Sequence, residues 1–167
     1  MTAAAQDVVI RRQLRPGDAE GIADLHDRVY RDEYGLDRRF RASVARALDD
    51  ALRRGWPERA GAVWLIDSGR ELSGALGLTV AAEGVGQLRW FVLAPELRGH
   101  GLGRTLVAEL VEEARAADLR RVILETFSAL TAAARIYRGV GFRVVWEEAT
   151  DKWGPEIAYQ RYELELD

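Results

Sequence analysis

The chain has 167 residues, 48% of them hydrophobic and 31% charged, which suits one globular domain spanning residues 1–167. Its net charge of −3 argues against a general nucleic-acid or anionic-membrane surface, and no apolar run is long enough to span a bilayer. The absence of cysteine excludes disulfides, thiolate metal sites and acyl transfer through a cysteinyl intermediate.

In chain order, Met1 to Gln6 carry no signal-peptide pattern, and a cytoplasmic location is expected. Asp7 to Arg12 reads as a first strand through Val8, Val9 and Ile10. Pro16-Gly17-Asp18 starts a helix to about Tyr30, with Ile22, Leu25, His26 and Val29 on one face. The segment Tyr30 to Gly35 breaks that pattern. A second helix runs from about Asp37 to Arg54, with Phe40, Val44 and Leu48 in step, and Trp56-Pro57 ends it. Ala62 to Ile66 and Leu72 to Ala81 are strands joined by Asp67-Ser68-Gly69-Arg70-Glu71, a hairpin signal. Glu83 to Gly86 turns into another hydrophobic run, Leu88 to Ala94, which stops at Pro95.

Next comes Leu97-Arg98-Gly99-His100-Gly101-Leu102-Gly103-Arg104, opening into a helix from Gly103 to Ala117. On that helix Leu106, Leu110 and Ala114 form a stripe beside Val107 and Val111, which is core. A strand, a glycine-rich turn and a helix N-terminus make an anion site. The first N–H groups of a helix lack intrahelical partners, and the dipole favours negative charge there. Gly99, Gly101 and Gly103 remove side chains that would hold a phosphate off the backbone, and Arg98 and Arg104 add positive charge. A plain tight connection is the competing reading. A dinucleotide fingerprint needs glycine where Arg104 stands, and the Gly-Lys-Ser/Thr of a Walker loop is missing.

Further on, Val122 to Leu124 is a β-branched strand signal, and Ala132 to Tyr137 reads as a short helix. Gly139-Val140-Gly141-Phe142 stops it before a strand from Arg143 to Trp146, and Tyr159 to Leu166 is a final alternating strand. The order is β-α-α-β-β-β-α-β-α-β-β, an α/β chain, with no repeat, low-complexity tract or linker.

Arg98-x-x-Gly101-x-Gly103 resembles the pyrophosphate loop of the GNAT superfamily of N-acetyltransferases, and Ala133-x-x-x-Tyr137-x-x-x-Gly141-Phe142 resembles its second signature. The resemblance implies a strongly bent mixed sheet flanked by about four helices, with acetyl-CoA as cosubstrate and no metal. It implies that the backbone of Phe91, Val92 and Leu93 pairs with the pantetheine arm as an added strand would. The loop residues Arg98, Gly99, His100, Gly101, Leu102, Gly103 and Arg104 would hold the pyrophosphate. Tyr137 matches the position of the family's general acid, and the plainer reading is a core tyrosine beside Phe142. Glu125, at the end of its strand, is the candidate base by similarity to ribosomal-protein alanine acetyltransferases, or else a solvated strand-end glutamate. The asparagine that many members place seven residues before the tyrosine is Leu130 here, with Ser128 and Thr131 as nearby polar substitutes.

The segment Tyr30-x-x-Glu33-Tyr34-Gly35-x-Asp37-x-x-Phe40 resembles the acetyltransferase half of MarR-type regulator–acetyltransferase fusions. Tyr30, Glu33 and Tyr34 suit a cationic amine, and Arg89 could hold a substrate carboxylate or pair with an acid across the sheet. His26 and His100 offer no metal spacing. The expected activity is direct acetyl transfer from acetyl-CoA to a primary amine of a small molecule. Protein N-termini or lysines are alternative acceptors, and a non-catalytic CoA-binding sensor is a third reading. No nucleic acid or membrane partner is expected, and a homodimer is compatible with the sequence.

Overall fold

Twelve segments order themselves along the computed structural model, which describes residues 7–167. They are β1 (Val8–Arg11), α1 (Asp18–Tyr34), α2 (Arg38–Arg53), β2 (Ala62–Ser68), β3 (Glu71–Ala82), β4 (Val85–Leu93), a 3-10 turn (Pro95–Leu97), α3 (Leu102–Ala116), β5 (Arg121–Phe127), α4 (Thr131–Val140), β6 (Arg143–Thr150) and β7 (Ile157–Glu165). The reading of Met1 to Gln6 lies outside the described residues. No helix among the described residues is long and apolar enough to cross a membrane. The strands form one sheet in the order β1-β2-β3-β4-β5-β7-β6, antiparallel except between β4 and β5. This is the mixed α/β architecture expected from the sequence.

Helices cover both faces, so β2 and β3 carry runs of buried residues without strict alternation. Val63 and Leu65 of β2 pack with Ile22, Leu25 and Leu48 of α1 and α2. Trp64 and Ile66 pack on the other face with Leu106, Leu110 and Val111 of α3. The α3 stripe read from the sequence is therefore core, with Leu106, Leu110 and Ala114 fully buried. At the sheet's first edge, Arg11 binds Asp67 of β2 through Nε at 2.6 Å and Asp18, in the first turn of α1, through Nη1 at 3.0 Å. These side chains are only 11–15% exposed.

One irregularity in β4 shapes the molecule's centre. Leu88 packs on the α3 face, whereas Trp90 and Val92 pack on the α1–α2 face. A regular strand would send all three to one side. The parity changes because the pairing with β3 skips, from Gly77 opposite Arg89 to Ala75 opposite Val92, and Trp90 takes a left-handed φ of 53°. Such a bulge bends its strand. Gly77 makes room for it, since a Cβ there would stand 2.7 Å from the Trp90 ring. β4 leaves β5 just before the bulge: the two pair only from Val85–Gln87 to Arg121–Ile123. The sheet is open past that point.

Several boundaries differ from the sequence reading. Tyr30 to Tyr34 is not a break but the last turn of α1, closed by Gly35 in the left-handed conformation with its N–H on the Arg31 carbonyl. The polar run Arg31-Asp32-Glu33 masked a helix whose buried face has only Tyr30 and Tyr34 left to contribute. β4 starts at Val85, so the turn before it is only Glu83-Gly84. The fourth helix reaches Val140 and stops at Gly141, φ 117°.

Candidate active site

The glycine loop meets the requirements of a phosphate cradle. Gly99 and Gly101 have φ of 82° and 80°, and no atom lies within 4 Å of where a Cβ would stand at either. The Leu102, Gly103 and Arg104 N–H groups in the first turn of α3 have no carbonyl four residues back within the helix. Gly103 differs from its neighbours: it is buried, and a Cβ there would meet Ile136 at 3.0 Å and Phe91 at 3.2 Å. Its role is close packing of α3 against α4 and β4, so only Gly99 and Gly101 open the backbone. Arg98 binds Glu33 of α1 in a two-pronged pair at 2.5 and 2.8 Å, and its Nε reaches the Leu93 carbonyl at 3.0 Å. His100 and Arg104 are exposed beside the loop.

The open edge of β4 faces the gap. The Leu93 carbonyl takes Arg98, and the Phe91 carbonyl takes the Tyr30 hydroxyl at 3.5 Å, so these two residues turn their backbone away from β3. Ala94 donates its N–H to Ser73 of β3, and by the strand's alternation Val92 also turns its backbone toward β3. Of the three residues read as the pantetheine edge, Phe91 and Leu93 thus turn their backbone toward the gap, with both carbonyls taken by side chains. Val92 contributes wall. A narrow cavity of about 120 Å³ runs here, between Tyr34, Leu93, Arg98, Leu130 and Ile136.

A second cavity of about 180 Å³ continues it around Tyr30 and Phe91. Gln87, Arg89 and Glu125 line it from the strands, His26 and Phe40 from the helices, and Tyr137 from the far side of the gap. Tyr137 is 4% exposed, packed against Phe91, Phe142 and Tyr162, and burial pushes its phenol well above the usual range. Its hydroxyl makes no hydrogen bond among the described residues. Thr126, in the same wall, has a buried hydroxyl without a partner among the described residues. Polar atoms left bare in a buried wall imply a ligand or water that satisfies them.

Glu125 keeps 31% of its side chain exposed. Burial raises its pKa, but hydrogen bonds from Arg161 at 2.8 Å and Tyr159 at 2.7 Å outweigh that and hold it below the usual glutamate range. It is a fixed carboxylate at neutral pH, and a weak base. Arg89 lies in the same cavity over the Trp90 ring, 4.7 Å from its centroid, with no ion pair or hydrogen bond among the described residues.

Other expected site residues fall elsewhere. Tyr30 borders both cavities, Tyr34 lines the narrow one, and Glu33 is engaged with Arg98 and lines neither. Ser128 is exposed and borders neither cavity. Leu130, in place of the expected asparagine, lines both and offers an apolar wall.

The sequence reading missed polar residues of the cavity, among them Gln87, Thr126, Tyr159 and His26. His26 sits on the buried face of α1, 4% exposed, stacked on Tyr30. Its Nδ1 is 2.8 Å from the Ile22 carbonyl and donates there, which leaves Nε2 as an acceptor. Burial lowers its pKa from 6.5 to about 4. A histidine at helical spacing among apolar residues reads as core, and only the cavity distinguishes it. The unfolded chain takes up this proton near pH 6.5 and the folded one only near pH 4, so stability falls as pH drops through that window. Between pH 7 and pH 5 the loss is about 2 kcal/mol. Urea unfolding at the two pH values measures it, and His26→Phe should flatten the difference. An unchanged difference in that variant would place its origin in other groups.

The described geometry agrees with the comparisons to known proteins. The acetyltransferase (GNAT) family matches residues 22–142. The chain is 31% identical over 142 residues to the uncharacterized N-acetyltransferase YjgM of Escherichia coli, covering 83% of this chain and 84% of that one. It is 32% identical over 91 residues to N-acetyltransferase 8B of Rattus norvegicus, covering 52% of this chain and 41% of that one. Among solved structures, a GNAT-family acetyltransferase of Desulfovibrio desulfuricans superposes with a TM-score of 0.73 at 23% identity, over 96% of this chain and 100% of that one. The acetyltransferase yncA of Salmonella typhimurium, solved with acetyl-CoA, gives 0.71 at 17% identity, over 96% and 95%. The extent of the family match, running from α1 to the end of the second signature, establishes that this chain belongs to the GNAT family and is an N-acetyltransferase.

Proposed function

We propose that the protein transfers the acetyl group of acetyl-CoA to the primary amine of a small molecule, directly, with both substrates bound. The observation that carries this reading is the opening between β4 and β5. It joins a narrow channel beside the glycine loop to a cavity holding both charge signs. An extended pantetheine arm fits along the gap-facing backbone of Phe91 and Leu93. A backbone N–H of that edge is suited to polarise the thioester oxygen as it gains charge.

The amine must first lose a proton, because an ammonium has no lone pair. Its nitrogen then forms a bond to the acetyl carbon, and the carbon–sulfur bond breaks with its electron pair on sulfur. Tyr137, kept protonated by burial, supplies a proton to that sulfur. The two protons the nitrogen gives up, one before attack and one after, leave through the cavity, whose acceptors are the Glu125 carboxylate and His26 Nε2; one of them restores the Tyr137 phenol and the other passes to solvent. The net products are an amide, CoA and one proton. A cavity of about 180 Å³ is smaller than the ~300–1,000 Å³ of many ligand pockets, which favours a compact acceptor.

The test is CoA release on a panel of small amines and peptides, alongside thermal unfolding with and without acetyl-CoA. Saturating acetyl-CoA, at about a hundred times its Kd, should stabilise the fold by about 2.7 kcal/mol. Small amines should release CoA where peptides do not. Turnover of peptides alone would replace the small-molecule reading by a protein acceptor. Stabilisation without any turnover would favour a sensor.

A further inference from the structure

From the facing charges of Arg89 and Glu125, we infer that the acceptor is an amine that also carries an oxyanion, as an α-amino acid does. This rests on the acetyl-transfer reading and names its substrate class. The parallel register of β4 and β5 sets Val85 opposite Arg121 and Gln87 opposite Ile123. Continued by two residues, it brings Arg89 level with Glu125. Both side chains lie on the α1–α2 side of the sheet, in the wall of the cavity. Here the strands have parted.

The two charges therefore face each other across a gap and do not pair. Glu125 binds Arg161 and Tyr159, while Arg89 has only the Trp90 ring. Glu125 and Asp50 act on the guanidinium through space and Arg54 opposes them, but Arg89 forms no ion pair with any described carboxylate. Its five donors are unused by any described residue and open to the cavity, free to meet a ligand. Carboxylates and phosphonates match its planar fork. Across the gap, each Glu125 oxygen retains acceptor capacity beyond its single bond, enough to receive an ammonium. A molecule bearing both charges satisfies both walls, and its nitrogen is then held beside the opening where Tyr137 stands. The cavity on the other side of Arg89, which also holds Asp50 and Arg54, leaves room for the anionic end to continue outward.

Matched acceptors test this: α-amino acids, their carboxamides, the corresponding decarboxylated amines and aminoalkylphosphonates, with CoA release as readout. Wild type should prefer an acid over its neutral counterparts by about 10–100-fold in kcat/KM, chiefly through KM, the range of a charged hydrogen-bonded contact. Preference for the carboxylate or for the phosphonate arm identifies the oxyanion. In Arg89→Gln the ratio of acid to neutral amine should fall to near unity, with Arg89→Lys between. Acetyl-CoA-induced stabilisation of these variants reports an intact fold. A purely structural Arg89 would alter all acceptors alike and leave the ratio where it was, which overturns the inference. Neutral amines turned over as well as acids by wild type overturn it too, with the acetyl-transfer reading left standing. No turnover of any acid or amine, by a protein that still binds acetyl-CoA, overturns both this inference and the small-molecule reading.

Discussion

Tyr137→Phe is expected to lower kcat by about 10²–10⁴-fold, the usual worth of a positioned proton donor, while acetyl-CoA affinity stays nearly intact. The side chain is buried among Phe91, Phe142 and Tyr162, and the phenyl ring keeps all of that packing. Its hydroxyl has no partner among the described residues, so its removal leaves no other protein group unsatisfied. Loss of stability is therefore expected to be small, and loss of turnover large. The proton matters only as sulfur departs, which assigns the effect to kcat. Burial raises the phenol's pKa, so the wild-type profile should show no loss of rate near pH 10 from its ionisation. Steady-state kinetics with any accepted amine decide the matter. Turnover equal to wild type would reduce Tyr137 to a packing residue and leave the thiolate to depart unaided.

Arg11→Met should destabilise the fold by about 3–5 kcal/mol, because removing one member of a largely buried ion cluster strands the others. Arg11 contacts Asp67 and Asp18 at once, and with them ties the edge strand β1 to β2 and to the start of α1. Asp18 also accepts the Arg15 N–H at 2.6 Å, and its pKa lies below the usual range: burial raises it, but the Arg11 and Arg15 contacts outweigh that. Methionine fills space but meets neither carboxylate. In a chain of this size the midpoint of thermal unfolding should drop by roughly 6–20 °C. Calorimetry measures it, and a cost under about 1 kcal/mol would class the cluster with ordinary surface pairs.

Much of the site was legible because some signals are local. The glycine loop reads directly, since a turn with Gly99 and Gly101 at positive φ is a backbone requirement that the residues state themselves. Gly103 belongs to the same signature, yet its reason is the proximity of Ile136 and Phe91, which no run of residues near it announces. Tyr137 stood out by motif position and does line the gap. Glu125 and Arg89 were legible as candidates but not as a facing pair, because their separation depends on where two strands 36 positions apart cease to pair. His26 was invisible as a site residue, since its spacing fits the core face that it also serves. Glu33 shows the reverse case: an acid near an expected acceptor loop, drawn instead to Arg98 by a helix one turn longer than the pattern suggested.

The sequence by itself determined the order of elements, the α3 core stripe, the glycine loop and the family, because periodicity, glycine conformation and short motifs act over a few residues. The tertiary structure alone decided the centre of the molecule. A single extra residue at Trp90 reverses which side chains face which helices, and β4 pairs with β5 only as far as Gln87. Gly77, on the neighbouring strand, leaves the space that the indole occupies. The bulge is thus accommodated by a contact between strands, so neither strand's pattern records it. The gap and the two cavities likewise depend on where β4 and β5 cease to pair, which neither strand's residues state.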